Sequence, residues 1–398
     1  MFMTIPALAL FYGGLVKRKN VLSILAQCFI VMAVISIQWV VFGYSLAFSH
    51  GRDWWTGLIG GIDWSFLKGV GMGISPYFVT QPTARIPHLV FAIFQMMFAV
   101  ITPALIIGAF AERMKFSAFV VFTLLWSTFI YDPVAHWVWS SDGWLYKMGV
   151  LDFAGGTVVH ITAGIASLAS ILVIGKRDNL KPVPPHNLTY TMIGAAMLWF
   201  GWFGFNAGSS LAADGTAASA FLATNTAGAA AALLWALLDR IFSGKSTMLG
   251  MATGAVAGLA AVTPGAGFVG VGGALVIGLV STFICYFMVM FLKPKLGYDD
   301  SLDAFGVHGI GGIWGTLAVG LFATPAVQPA FKGLFYGNPK QLAIQALAVG
   351  TVLVYSFVGT FIIYKVIDRV MGVRVKKKEE AMGLDVTQHQ EQAYTVIE

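Results

Sequence analysis

The chain is a succession of long apolar runs joined by short segments that hold most of its lysines and arginines. About 20 such residues in a helix cross a hydrocarbon core of roughly 30 Å. Lipid offers no hydrogen bonds to an open backbone, so only helices and closed barrels can span it. With 58% of its 398 residues hydrophobic and 11% charged, the chain cannot present an ordinary polar surface to water on all sides. An all-α integral membrane bundle follows. Spans are expected near 1–16, 21–48, 88–111, 117–139, 152–175, 189–211, 218–239, 247–267, 269–292, 303–323 and 341–368. The first run, Met1 to Val16, supplies only about four helical turns, as it would if the chain began at an internal Met or with a truncated first helix. It has neither the basic flank nor the small-residue cleavage site of a signal peptide.

Placing the first helix outside-to-inside puts 18 of the 24 Lys and Arg on inner segments, among them Lys17, Arg18, Lys19, Arg113, Lys115, Lys176, Arg177 and Lys181. The outer segments keep Arg52, Lys68, Arg85, Lys147, Lys332 and Lys340. That bias predicts an outer N-terminus and a cytoplasmic C-terminus. The net charge of +6 mostly expresses this bias and gives no reason to expect a nucleic-acid partner. Cys28 and Cys285 fall in separate expected helices, which fits packing better than a disulfide framework or a metal set. No metal or cofactor is expected.

Two histidines, His160 in LDFAGGTVVHI and His308 in LDAFGVHGIGG, lie inside uncharged, glycine-rich stretches of the fifth and tenth expected helices. Each follows a Leu-Asp pair, at Asp152 and Asp303. The recurrence suggests two five-helix halves, about 1–175 and 189–323, followed by an extra helix near 341–368. Five is odd, so the halves enter the membrane from opposite sides, the inverted-repeat plan that puts a site near the bilayer midplane. Counted as helix from Asp152, His160 lies about 12 Å into the membrane. Residues 1–371 then form the membrane unit and 372–398 a cytoplasmic tail, able to dock on inner loops or on a partner.

An ionisable ring at membrane depth is either a functional group or one half of an interhelical hydrogen bond. For one histidine the bond is the simpler account; two at repeat-related positions favour function. Asp152 and Asp303 read first as caps of helix N-termini, where unpaired amides and the helix dipole favour a carboxylate. Asp152 would add negative potential to a cation site above His160. At the outer ends, Trp139 closes HWVW, while Phe205 and Ser209 share a face in GWFGFNAGSS, as do Phe94 and Phe98 in FQMMFA. An indole face beside a hydroxyl suits a small cation, although a terminal Trp is more often a belt anchor. Trp54, Trp55 and Trp64, in the long outer connection 49–87, fit such a belt. The chain has neither a carboxylate ring nor a TVGYG-like filter. Driving a bare charge past Phe98 and Phe205 costs at least roughly 3 kcal/mol. A small base that sheds its proton fits better than a metal ion, and a linked imidazole pair can relay protons. His88, His136, His186, His50 and His389 read as helix-end, loop or tail residues. Asp132, before Pro133, has no partner that the sequence names.

At ALFYGGLVKRKNVLS, IIGAFAERMKFS, AHWVW, LDFAGGTVVHI, IGKR, WFGWFGFNAGS, VTPGAGFV, DAFGVHGIGG and GLDVTQHQEQAY the chain closely resembles the ammonium transporter family (Amt/MEP/Rh), on its bacterial or archaeal Amt branch. Rh-type proteins are less similar, because Trp139 with Ser209 is an Amt-type arrangement. The resemblance implies eleven helices and a homotrimer with one pore per subunit in the cytoplasmic membrane. It also implies an ammonium recruitment site of Trp139, Phe98 and Ser209, a stacked phenyl gate of Phe98 and Phe205, twin pore histidines His160 and His308, and Asp152 as supporting carboxylate. The tail resembles the segment through which family members couple subunits and meet PII-type nitrogen-signalling proteins.

The expected function is therefore transport of ammonium, deprotonated on entry and passed as ammonia along the histidines. The rival is an ammonium sensor that signals through its tail to a PII-type protein. A membrane enzyme lacks a metal triad or an activated nucleophile, and water conduction is disfavoured by rings at the gate.

Overall fold

The computed structural model describes residues 1–51, 53–74, 86–178 and 184–395. Arg52, Arg85 and Lys181, three members of the charge count, lie outside the described residues, as does part of the 49–87 connection. Among the described residues the apolar helices follow the expected order: α1 Thr4–Leu15, α2 Arg18–Phe48, α3 His88–Phe110, α4 Phe116–Met148, α5 Gly156–Ile174, α6 Leu188–Ser210, α7 Gly215–Ser243, α8 Met248–Val262, α9 Val271–Leu296, α10 Phe305–Phe322 and α11 Pro339–Met371. Among the described residues, nine are long and apolar enough to cross a membrane, and α1 and α8 are shorter. No β-strand occurs among the described residues, only isolated bridges such as Met114 to Arg374.

Large apolar side chains face outward along the helices, Phe29 69% exposed, Leu233 74% and Val354 60%. Such a surface is unfavourable in water and natural against acyl chains. Among the helices that begin later than the hydrophobic pattern predicts are α5, at Gly156 instead of residue 152, and α10, at Phe305 instead of 303. In each case the preceding residues form the cap and not the first turn, so the 12 Å helical path counted from Asp152 does not apply.

The end of the bundle that carries the basic joints is held by buried ion pairs. Arg113 is fully buried and donates to the carbonyls of Ala109, Ala111, Gly175 and Asp299 and to Ser301 Oγ. Arg177 grips Asp299 through two side-chain bonds of 2.7 and 2.9 Å and reaches Glu112 at 2.9 Å, while Glu112 accepts the Lys17 amide at 2.7 Å. Four interhelical joints are thereby stapled together. Burial alone would raise the Asp299 carboxyl, but the bonded Arg177 guanidinium and the Arg113 charge hold it below the ordinary carboxylate value.

The tail lies on this same end. After α11 it forms α12 Lys377–Met382 and α13 Leu384–His389. Ala381 O accepts from Lys19 Nζ, the Leu384 amide donates to Asn20 Oδ1 at 2.8 Å, and Asp385 Oδ1 accepts the Ser23 amide at 2.8 Å. Gln388 Oε1 accepts the Phe116 amide, and Tyr394 meets His186 Nε2 at 3.0 Å. Of the two docking surfaces left open by the sequence, the tail occupies its own joints.

Candidate functional site

His160 and His308 meet in the middle of the bundle. Their rings lie 5.2 Å apart between centroids and within 9° of parallel, and the residues are only 2% and 4% exposed. Each sits in a π-helical turn, Gly156–Ile161 in α5 and Phe305–Gly309 at the start of α10. Such widened turns recur at functional sites because they re-aim a side chain without ending the helix. The approach of the two helices depends on a glycine four residues beyond each histidine. A Cβ on Gly164 would stand 2.1 Å from Gly309 N, and one on Gly312 would stand 2.9 Å from His160 Cβ. Both ring nitrogens of His160 and Nδ1 of His308 have no hydrogen-bond partner among the described residues. A purely structural histidine would have spent them on a neighbour. The alternative of an interhelical hydrogen bond is absent from this pair.

The carboxylates pair differently from the sequence expectation. Asp152 precedes α5 and accepts four amides: Gly155 and Gly156 on Oδ1 at 2.8 and 2.6 Å, Thr157 and Val158 on Oδ2 at 2.9 and 3.1 Å. The matching group before α10 is Asp300, which accepts Ala304 at 3.1 Å, Phe305 at 2.9 Å and Gly306 at 3.4 Å. Asp303, expected as the second cap, has φ of 60° and turns outward to Lys293 Nζ at 2.5 Å. The reason is geometric. A side chain must loop forward three to six residues to meet the free amides of a π-turn, so the capping residue stands well ahead of the helix. Asp300 lies eight residues before His308, the same spacing as Asp152 to His160, and that coincidence in the sequence was the available signal.

Above the histidines the rings form a continuous file. Trp139 and Phe98 lie 5.2 Å apart, Phe98 and Phe205 4.8 Å, Phe205 and Trp202 5.9 Å, and Trp202 and His160 5.6 Å. The gate rings expected to stack instead meet edge to face at 86°, an arrangement that the aromatic quadrupoles favour. Trp139 is anchored by its Nε1 on Asp152 O at 2.9 Å, so the cap residue also orients the indole. Ser209 lies one turn beyond Phe205 and donates its hydroxyl to Phe205 O at 2.8 Å, a bond within its own helix. Trp202 was not anticipated. It lies within 13° of parallel to His160 and is fixed by Nε1 donating to Thr263 Oγ1 at 2.9 Å. Its spacing of three from Phe205, on a helix already expected to carry a gate ring, was the usable sign.

Among the described residues no group of three His, Cys, Asp or Glu lies close enough to hold a metal ion. Cys28 and Cys285 are both free and buried. Chemically, the file offers aromatic faces to a cation at one end and, deeper, unpaired imidazole nitrogens that accept or pass a proton.

The family model described as Ammonium Transporter Family matches residues 1–394. An ammonium transporter of Bacillus subtilis (strain 168) is 51% identical over 390 residues, covering 98% of this chain and 94% of that protein. Ammonium transporter Amt1 of Archaeoglobus fulgidus is 46% identical over 397 residues, covering 99% and 96%. A solved structure titled Sensor Amt Protein superposes with a TM-score of 0.87 at 30% identity, covering 98% of this chain and 95% of that one. Sequence and fold agree along the whole length, and this chain of membrane helices belongs to the ammonium transporter family, on its bacterial and archaeal Amt side.

Proposed function

We propose that this multi-pass cell-membrane ammonium transporter recruits ammonium at Trp139, Phe98 and Ser209, removes its proton near Phe98 and Phe205, and passes ammonia along His160 and His308. The observation that carries this reading is the unbroken file from Trp139 to a buried imidazole pair with unspent nitrogens. Stripped of water, a cation between these rings costs at least roughly 3 kcal/mol, which favours giving up the proton, either to water outside the rings or onward to the imidazole pair. Asp152 supports the entrance by holding Trp139 and by placing negative charge beneath it. The basic end faces the cytoplasm by the lysine and arginine bias. Eleven membrane helices, a homotrimer and a PII-type partner for residues 372–398 belong to the same proposal and rest on the family resemblance.

Flux in proteoliposomes tests it. Trp139→Leu is expected to raise the half-saturating ammonium concentration about tenfold, and His160→Ala with His308→Ala to abolish proton-coupled flux. A doubly substituted protein that conducts like the wild type sinks the reading. Ammonium-dependent current, compared between wild type and His160→Asp, separates the two routes: no current in the wild type means that only neutral ammonia crosses, whereas a wild-type current that His160→Asp alters means that the imidazole passes the proton.

A second reading, an ammonium sensor, draws on the docked tail and on the likeness to the structure titled Sensor Amt Protein. It requires ammonium-dependent binding of a cytoplasmic partner with negligible flux. Deleting 383–398 leaves most of the flux if the chain is a conductor.

A further inference from the structure

Asp132, for which the sequence names no partner, takes no part in the transport file. It is fully buried in the middle of α4, immediately after the π-turn Ser127–Tyr131. Its partner comes from α2: Gln38, 2% exposed and immediately before the π-turn Trp39–Gly43, donates Nε2 to Asp132 Oδ2 at 2.7 Å. The amide makes a second, longer contact with Thr128 Oγ1 at 3.4 Å. One oxygen of each group is left over. Asp132 Oδ1 and Gln38 Oε1 are both buried with no partner among the described residues, and the hydroxyl of neighbouring Tyr131 is in the same position. No Lys, Arg or His forms an ion pair with Asp132 among the described residues.

A carboxylate in this setting would leave two bare acceptors and an unpaired charge in a low-dielectric interior. Such a charge is neutralised before it is tolerated. Adding one proton to Oδ1 resolves both problems, because the acid then has one donor and Gln38 Oε1 is a free acceptor. A carboxylic acid and a primary amide already joined by one N–H···O bond are two halves of a closed reciprocal pair. We propose that Asp132 is carried as the neutral carboxylic acid, its O–H donated to Gln38, and that this acid–amide pair is a positioning clasp between α2 and α4. Trp139 lies seven residues further along α4, so the clasp sets the height and rotation of the helix that presents the indole. The flux consequence rests on the transport reading above, whereas the protonation state does not.

Infrared difference spectroscopy of the purified full-length protein, wild type against Asp132→Asn, tests the protonation directly. The expected result is loss of a protonated-carboxyl carbonyl band that stays constant in the wild type across neutral pH. A carboxylate band in that difference overturns the proposal. In proteoliposomes Asp132→Asn, which keeps shape and pairing without an exchangeable acid, is expected to transport within about threefold of wild type. Asp132→Leu is expected to lose at least about tenfold. Transport by the Asn variant as poor as by the Leu variant would mean that an ionising proton is needed, and wild-type flux in the Leu variant would mean that no clasp exists; either overturns the proposal. Should the Leu variant fail to fold, the infrared result and the Asn flux still decide it.

Discussion

The backbone of Gly312 lies so close to His160 that an added Cβ would stand 2.9 Å from the histidine Cβ and 3.1 Å from Gly156 O. The mirror contact, Gly164 against Gly309, is tighter and purely backbone. Gly312→Ala is therefore expected to displace His160 and lower ammonium flux by about tenfold with a stability cost of about 1–3 kcal/mol. Gly164→Ala, which has no side chain to push aside, is expected to cost more. Melting temperature and flux on the same preparations check this, and a Gly164→Ala protein that matches the wild type in both measurements rejects the close crossing.

Asp152 and Asp300 satisfy four and three amides respectively, while the Asp303 carboxylate pairs with Lys293. Alanine at Asp152 or Asp300 is expected to cost at least about 1–2 kcal/mol, the upper range of a lost helix cap. Alanine at Asp303 is expected to cost about 0–1 kcal/mol, as for a solvent-screened ion pair. Unfolding of the three variants in detergent orders them, and a larger loss at Asp303 than at Asp300 would reverse the assignment of the second cap.

Trp202→Phe keeps a ring over His160 but gives up the Thr263 bond, and is expected to cost about 1 kcal/mol of stability with most flux retained. Trp202→Leu removes the ring and is expected to lower flux severalfold more. Equal flux from the two variants would show that the indole serves packing alone.

The Asp299 carboxyl is held below its ordinary value, so its contribution to stability is fully present above the unfolded value of about 3.9 and lost as pH falls through the lowered folded value. Arg177→Gln removes the bonded guanidinium, while burial still raises the carboxyl and the Arg113 charge and the amide of residue 177 still lower it. The stabilisation from Asp299 at neutral pH then shrinks: the variant is less stable there, and its deficit against the wild type narrows as pH falls toward acid. Melting temperature against pH for the two proteins reads the sign, and parallel curves would contradict it.

Asp385 places its carboxylate on the Ser23 amide at the start of α2, so the tail acts as a cap donated from elsewhere in the chain. Asp385→Ala is expected to speed amide exchange across 383–394 and at the first turn of α2 together. Faster exchange in the tail alone would separate docking from capping.

By itself the sequence determined the class of molecule and most of its span boundaries, because a bilayer demands uninterrupted apolar length and that demand is written locally. It also marked His160, His308, Phe98, Phe205, Trp139 and Asp152, since charge and aromatic character stand out against an apolar background. It did not separate Asp300 from Asp303: both precede a helix, and only the left-handed backbone at Asp303 turns one of them away from the free amides. It did not reveal that Phe98 and Phe205 meet edge to face, or that Trp202 lies against His160, because ring orientation depends on how α3, α5 and α6 cross. Nor did it name Gln38 as the partner of Asp132, 94 residues away, since a hydrogen bond between α2 and α4 leaves no periodic trace along either helix. Apolar length and residue type are properties of the chain read one segment at a time; partnership and ring angle exist only once the helices have packed.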